Sequence, residues 1–230
     1  NASRFVLMNL TVPDFTLPET LSLEDKWILH RYNELVREVT DNLDRFELGV
    51  AADKLYSFIW DSFCDWYIEL CKPRLGADAD PAASEQAQRV LGHVLTGVMQ
   101  LLHPFMPYIT EQVWQGLKGA DSSIMVSQWP QYDEKLCFAS ECGDMEGIMD
   151  VIRAIRARRA EMNVPPTRRA EMIVVTARGE LYREAEPVLK KLAYGSHVTV
   201  LAEAPEDTAG MVSVVAGTAR VYMPMSDLVD

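Results

Sequence analysis

Along most of the first 160 positions, apolar residues recur every three or four places, the spacing of one face of an α-helix. Ser22 followed by Asp25 three positions later predicts a capping box, in which each side chain satisfies a free amide of the first turn. From there Ile28, Tyr32, Leu35, Val36, Val39, Leu43 and Phe46 form one stripe, and Gly49 punctuates it. A second run, with Ala52, Leu55, Tyr56, Ile59, Phe63, Trp66, Tyr67 and Leu70, has a wide aromatic arc suited to the middle of a bundle, and Pro73 ends it. Residues 76–84 read as a polar connection. A third helix is predicted from about Glu85 to Leu102, closed by His103-Pro104, and a short one from Pro107 through Trp114. Residues 123–130 read as extended and the stretch to Gly143 as irregular; a further helix runs from near Asp144 to Met162.

After residue 166 the period changes. Ala170–Thr176, His197–Leu201, Met211–Val215 and Ala219–Met223 are rich in β-branched residues and read as strands, with a helix over Glu180–Leu192. The right-handed crossover rule makes the first two strands parallel. The expected fold is mainly α, a helical bundle over residues 1–143, then a long basic helix and a small α/β module over 144–230.

Composition narrows the function classes. Hydrophobic residues make up 48% and charged residues 24%, ordinary for a globular chain, which excludes disorder and collagen-like repeats. The formal net charge of −12 argues against purely electrostatic RNA binding, though a local basic stripe on an acidic body remains open. No apolar run approaches the length of about 18 residues that a membrane span needs, and the first ten residues do not read as a signal peptide. Cys64, Cys71, Cys137 and Cys142 lack CxxC spacing and read as reduced structural thiols, which fits the cytosol.

No constellation for catalysis is present. The sequence has no P-loop, no GxGxxG and no HExxH, and its four histidines fall in separate elements without metal-ligand spacing, so no metal site is expected. Asp61, Asp65 and Glu69 line up along one helix and read as a solvated face rather than a carboxylate pair. Two features stand out. Arg153, Arg156 and Arg159 repeat at three-residue spacing and could follow an RNA backbone with their planar forks, or could simply be a solubilising face. Arg4-Phe5 and Lys26-Trp27 place a cation beside an aromatic, which supplies both edge contacts and a stacking plane for unpaired bases. The alternative for these is that Phe5 and Trp27 are core and the cations snorkel past them.

Five blocks, residues 1–7 (NASRFVL), 63–75 (FCDWYIELCKPRL), 101–114 (LLHPFMPYITEQVW), 123–130 (SIMVSQWP) and 151–166 (VIRAIRARRAEMNVPP), resemble in order the C-terminal, anticodon-binding region of valyl-tRNA synthetases, a class I family. The last 50 or so residues match only loosely. The resemblance implies catalytic and editing domains elsewhere in the parent chain, since the HIGH and KMSKS signatures are absent here. It implies ATP and Mg for that parent, no cofactor in this part, and tRNA(Val) as the partner of a monomeric, cytoplasmic enzyme without membrane attachment. It assigns anticodon contacts to Arg4 and to the pair Lys26-Trp27, where most relatives carry Arg in place of the lysine; Arg31 lies near them, and Arg153, Arg156 and Arg159 would steady the backbone. Two other readings stay open: a helical protein-interaction scaffold, and the same region of an isoleucyl-tRNA synthetase.

Overall fold

The computed structural model describes residues 1–229, and the chain divides into two units, Asn1–Cys142 and a second beginning at Gly143. The first is helical. Helix α1 spans Ala2–Asn9 and α2 spans Leu23–Asp44. The capping box forms as predicted: Ser22 Oγ accepts from the Asp25 amide and the Asp25 carboxylate accepts from the Ser22 amide. Helix α2 closes where Phe46 turns left-handed at φ 59°, with the Glu47 and Phe46 amides donating to the carbonyls of Asn42 and Leu43.

Helix α3 (Leu48–Ser57) runs on without a break into a π-helical segment, Phe58–Tyr67, and then α4, Ile68–Leu75. Gly49 does not punctuate; it lies in the first turn of α3. In the π segment each amide reaches back five residues, so the inward positions advance by four or five, and Phe58, Ser62, Phe63, Trp66 and Tyr67 are buried. Tyr56, expected to face inward with them, is exposed. Pro73 sits inside α4, two residues before its end.

Asp80 caps α5 (Pro81–Leu102) by accepting from the Ala83 amide at 2.9 Å, so this helix begins earlier than its apolar stripe. Two glycines on α5 let aromatic rings sink onto its backbone. A Cβ at Gly92 would lie 2.2 Å from Phe15 Cδ1, and one at Gly97 would lie 1.8 Å from Tyr32 Oη. Helix α6 spans Pro107–Lys118, and the following loop contains short 3-10 turns at Ile124–Val126 and Glu134–Leu136, the first in place of the extended stretch expected there. The indoles of Trp114 and Trp129 anchor this loop, each donating at 2.9 Å to Ser122 Oγ and Thr40 Oγ1. Helix α7 covers Ala139–Glu161.

The second unit carries a four-stranded sheet of β1 (Ala170–Thr176), β2 (Gly195–Leu201), β3 (Met211–Ala216) and β4 (Ala219–Pro224), in the order β2-β1-β4-β3. Strands β1 and β2 pair in parallel, as expected for two strands joined through a helical crossover, and β4 is antiparallel to both β1 and β3. The crossover is two helices, α8 (Gly179–Glu184) and α9 (Glu186–Leu192). Pro187 explains the break, because it has no amide hydrogen to continue the ladder from α8. A last turn, α10, spans Met225–Leu228.

Candidate nucleic-acid interface

The first turn of α2 is fixed by a buried polar network. Asp25 has no solvent exposure; besides the cap, its carboxylate accepts from Tyr67 Oη at 2.7 Å and from both terminal nitrogens of Arg74. Burial pushes the Tyr67 phenol well above its usual range, and the neighbouring Asp25 charge adds to the effect. Burial, the largest single influence, would depress the Arg74 guanidinium, but its hydrogen bond to Asp25, the Asp25 charge and the neighbouring Tyr67 and Cys71 together outweigh this and raise it. The adjacent Cys71 thiol is pushed up to about 12, chiefly by burial. A paired, hydrogen-bonded ion inside the bundle thus holds the helix end that presents Lys26. The carboxylate's role in the cap was readable from spacing; its pairing with Arg74, 49 residues away, was not.

Lys26 is partly exposed. Its ammonium lies 3.6 Å from Glu141 and 5.8 Å from the centroid of the Phe138 ring. Trp27 is 2% exposed and its indole Nε1 has no hydrogen-bond partner. The expectation that Trp27 offers a stacking plane is therefore corrected: it is core. Helical neighbours point about 100° apart, so a cation and the aromatic next to it do not share a face. The aromatic partners come from distant positions instead: Phe138 under Lys26, Tyr132 under Arg37 at 4.9 Å, and Phe5 under Lys72 at 5.8 Å.

Arg4 is exposed on α1, with no partner among the described residues. Arg31 is exposed and 3.7 Å from Glu34. It lines a cleft of about 330 Å³ whose charged walls are otherwise Glu34, Glu38, Asp53, Asp61 and Lys54, the lysine paired with Glu38 at 3.0 Å, so the balance is acidic and repels a phosphate. Arg31 stands about 140° around α2 from Lys26, so the two do not form one surface.

The arginine row also changes meaning. Each step of three residues turns about 300° around a helix, so three arginines spaced by three drift through about 120°. Arg153 is exposed and bonded to Asp150 at 2.7 Å. Arg156 is half-buried; its Nε donates to the Leu192 carbonyl at 2.7 Å. Arg159 is 2% exposed, donates to the carbonyls of Pro165 and Arg168, and lies 5.3 Å over the Tyr194 ring, which Arg156 also approaches at 5.9 Å. Burial depresses its guanidinium. Arg159 is thus withdrawn from any RNA backbone, and Arg156 and Arg159, but not Arg153, staple the loop at Tyr194, itself left-handed at φ 61°. Charge spacing alone could not show this, because the acceptors are backbone carbonyls.

Among the described residues no group of His, Cys, Asp and Glu is arranged to hold a metal, and no helix is long and apolar enough to cross a membrane. All four cysteines are free thiols.

Comparison with known proteins gives this arrangement a context. A valine–tRNA ligase of Clostridium acetobutylicum is 46% identical across all of this chain, which covers 27% of that protein. One from Carboxydothermus hydrogenoformans is 44% identical, with 26% of its length covered, and one from Staphylococcus carnosus is 36% identical, with 27% covered. The chain thus spans about a quarter of the length of the curated relatives it matches. The family described as the anticodon-binding domain of tRNA ligase matches residues 25–174. That match covers more than half of the chain and runs from the capped start of α2 into β1, so the chain belongs to the anticodon-binding domain family of tRNA ligases.

Proposed function

We propose that this chain is the part of a valine–tRNA ligase that grips the anticodon stem-loop of tRNA(Val), while catalytic and editing domains elsewhere in the parent polypeptide use ATP and Mg to join valine to the tRNA. The observation that carries this is the family match over residues 25–174, together with valine–tRNA ligases similar across the whole chain. In this reading the parent is a cytoplasmic monomer and this part holds no cofactor.

The geometry supports Lys26 as the central contact. It projects from the capped first turns of α2 beside the Phe138 ring, where a base can stack. Its ion pair with Glu141 at 3.6 Å is partly exposed and therefore weak, so RNA can compete for the ammonium. Arg4 is an accessible guanidinium suited to a base edge or phosphate. Arg153 is the member of the arginine row that reaches solvent; Arg156 takes a secondary part, Arg31, set among acids, is not carried into this contact surface, and Trp27 and Arg159 take none.

Binding of the chain to a stem-loop bearing the valine anticodon, compared with the same stem-loop carrying another anticodon, tests the reading. A preference of about tenfold or more, 1.4 kcal/mol, is expected. Equal affinity for the two would overturn it.

A further inference from the structure

Outside the surface assigned to RNA, one side of the first unit leaves large apolar residues in solvent. Phe46 is 88% exposed, Leu48 55%, Tyr56 66% and Trp60 57%. Leu48, Ala52, Tyr56 and Trp60 are spaced by four, which places them in one row along α3 and into the π segment. The Tyr56 and Trp60 rings lie parallel, 3° apart in plane with centroids 6.1 Å apart. Phe46 is held at a positive φ that disfavours any residue with a Cβ, yet its ring packs against nothing that would compensate. Nothing lies within 4 Å of where a Cβ on Gly49 would point, so the start of the row is open as well.

The unpaired charges beside this row have one sign. Asp44, Asp53, Asp61 and Asp65 are exposed and paired with no cation among the described residues. The segment's two cations are engaged with the chain's own acids, Arg45 with Glu47 at 3.2 Å and Lys54 with Glu38 at 3.0 Å. A phosphate backbone is repelled here, which separates this face from the one around Lys26. A second copy of the chain would bring the same unpaired carboxylates against themselves, since a two-fold contact uses the same patch on both sides. The complement is a helix with an apolar stripe and Lys or Arg along its flanks.

We propose that this face seats a basic, apolar-faced helix from the part of the synthetase polypeptide that lies outside these 230 residues. The inference rests on the reading of the chain as one part of a synthetase, and on relatives that are nearly four times its length. The aromatic row fills the apolar stripe of the docked helix, and Asp53, Asp61 and Asp65 pair with its cations.

Hydroxyl-radical footprinting of the full-length synthetase tests this, with Tyr108, 91% exposed, as the internal reference. Tyr56 and Trp60 should react several-fold more slowly than Tyr108 in the absence of tRNA. Reactivity should return in the triple variant Asp53→Lys, Asp61→Lys, Asp65→Lys. Full reactivity of both rings in the unaltered enzyme overturns the proposal. Protection that appears only with tRNA, or that fades on dilution, also overturns it, by naming RNA or a second copy as the occupant. Protection that is unchanged in the triple variant removes the basic partner. The anticodon preference of a Lys26→Ala enzyme is read separately, so loss of this docking face leaves the RNA-binding assignment standing or falling by itself.

Discussion

The hydroxyl of Tyr67 donates a 2.7 Å hydrogen bond to Oδ1 of Asp25, a carboxylate wholly removed from water. The two residues are 42 positions apart, and Arg74 joins them from the last turn of α4. Replacing Arg74 by Met leaves a buried anion with only neutral donors. The expected loss is about 3–5 kcal/mol of unfolding free energy, measured by urea denaturation. A loss below about 1 kcal/mol, the scale of an exposed pair, would show that the network is solvated rather than sealed.

Trp27 leads to the opposite expectation. Its Nε1 is a buried donor without an acceptor, so Trp27→Phe removes an unsatisfied group along with some volume. Stability should change by less than about 1.5 kcal/mol, and affinity for the anticodon stem-loop should not change. Weakening of RNA binding by the 1–3 kcal/mol or so of a lost stacking contact would return Trp27 to the interface.

For the arginines, salt dependence is the readout. If Lys26 and Arg153 each neutralise a phosphate, substituting either by Ala should flatten the log–log salt slope of tRNA binding by roughly 0.7–0.9. Arg159→Ala should leave the slope unaltered and instead cost about 1–3 kcal/mol of stability, because the carbonyls of Pro165 and Arg168 lose their donor.

His93 gives the fold a pH dependence. Burial depresses its imidazole, which packs edge-on to Tyr32 at 5.8 Å. A group with a lowered folded pKa binds more protons when unfolded, so the stability it supports is present above its ordinary value of 6.5 and is lost as the pH falls below that. Denaturation midpoints measured from pH 7 to pH 5 should fall, and His93→Gln should flatten the trend. An equally steep fall in that variant would assign the effect to other groups.

How far the sequence carries these arguments depends on the kind of information each needs. Helical periodicity reveals α2, α5 and their buried stripes because burial repeats with the backbone. The cap at Ser22 is local chemistry and equally visible. Tyr56 defeats the same logic: α3 has an inner face and an outer row spaced by four, and a pattern of apolar residues does not say which of the two is covered. The π segment compounds this, since no residue type announces its changed period. The cation-and-aromatic surface needs tertiary information of another kind. Lys26 meets Phe138 across 112 positions of chain, whereas adjacency suggested Trp27, which the helix turns inward.

The glycines of α5 have a further consequence. At positions 92 and 97 the helix is built around atoms it does not have, and the rings of Phe15 and Tyr32 occupy that space. Truncation scanning, which works by removal, will pass over both positions without a signal. A single added methyl group is the informative change, because it must displace a ring or part the helices. The narrowest tolerance in the bundle therefore lies where the side chain is smallest.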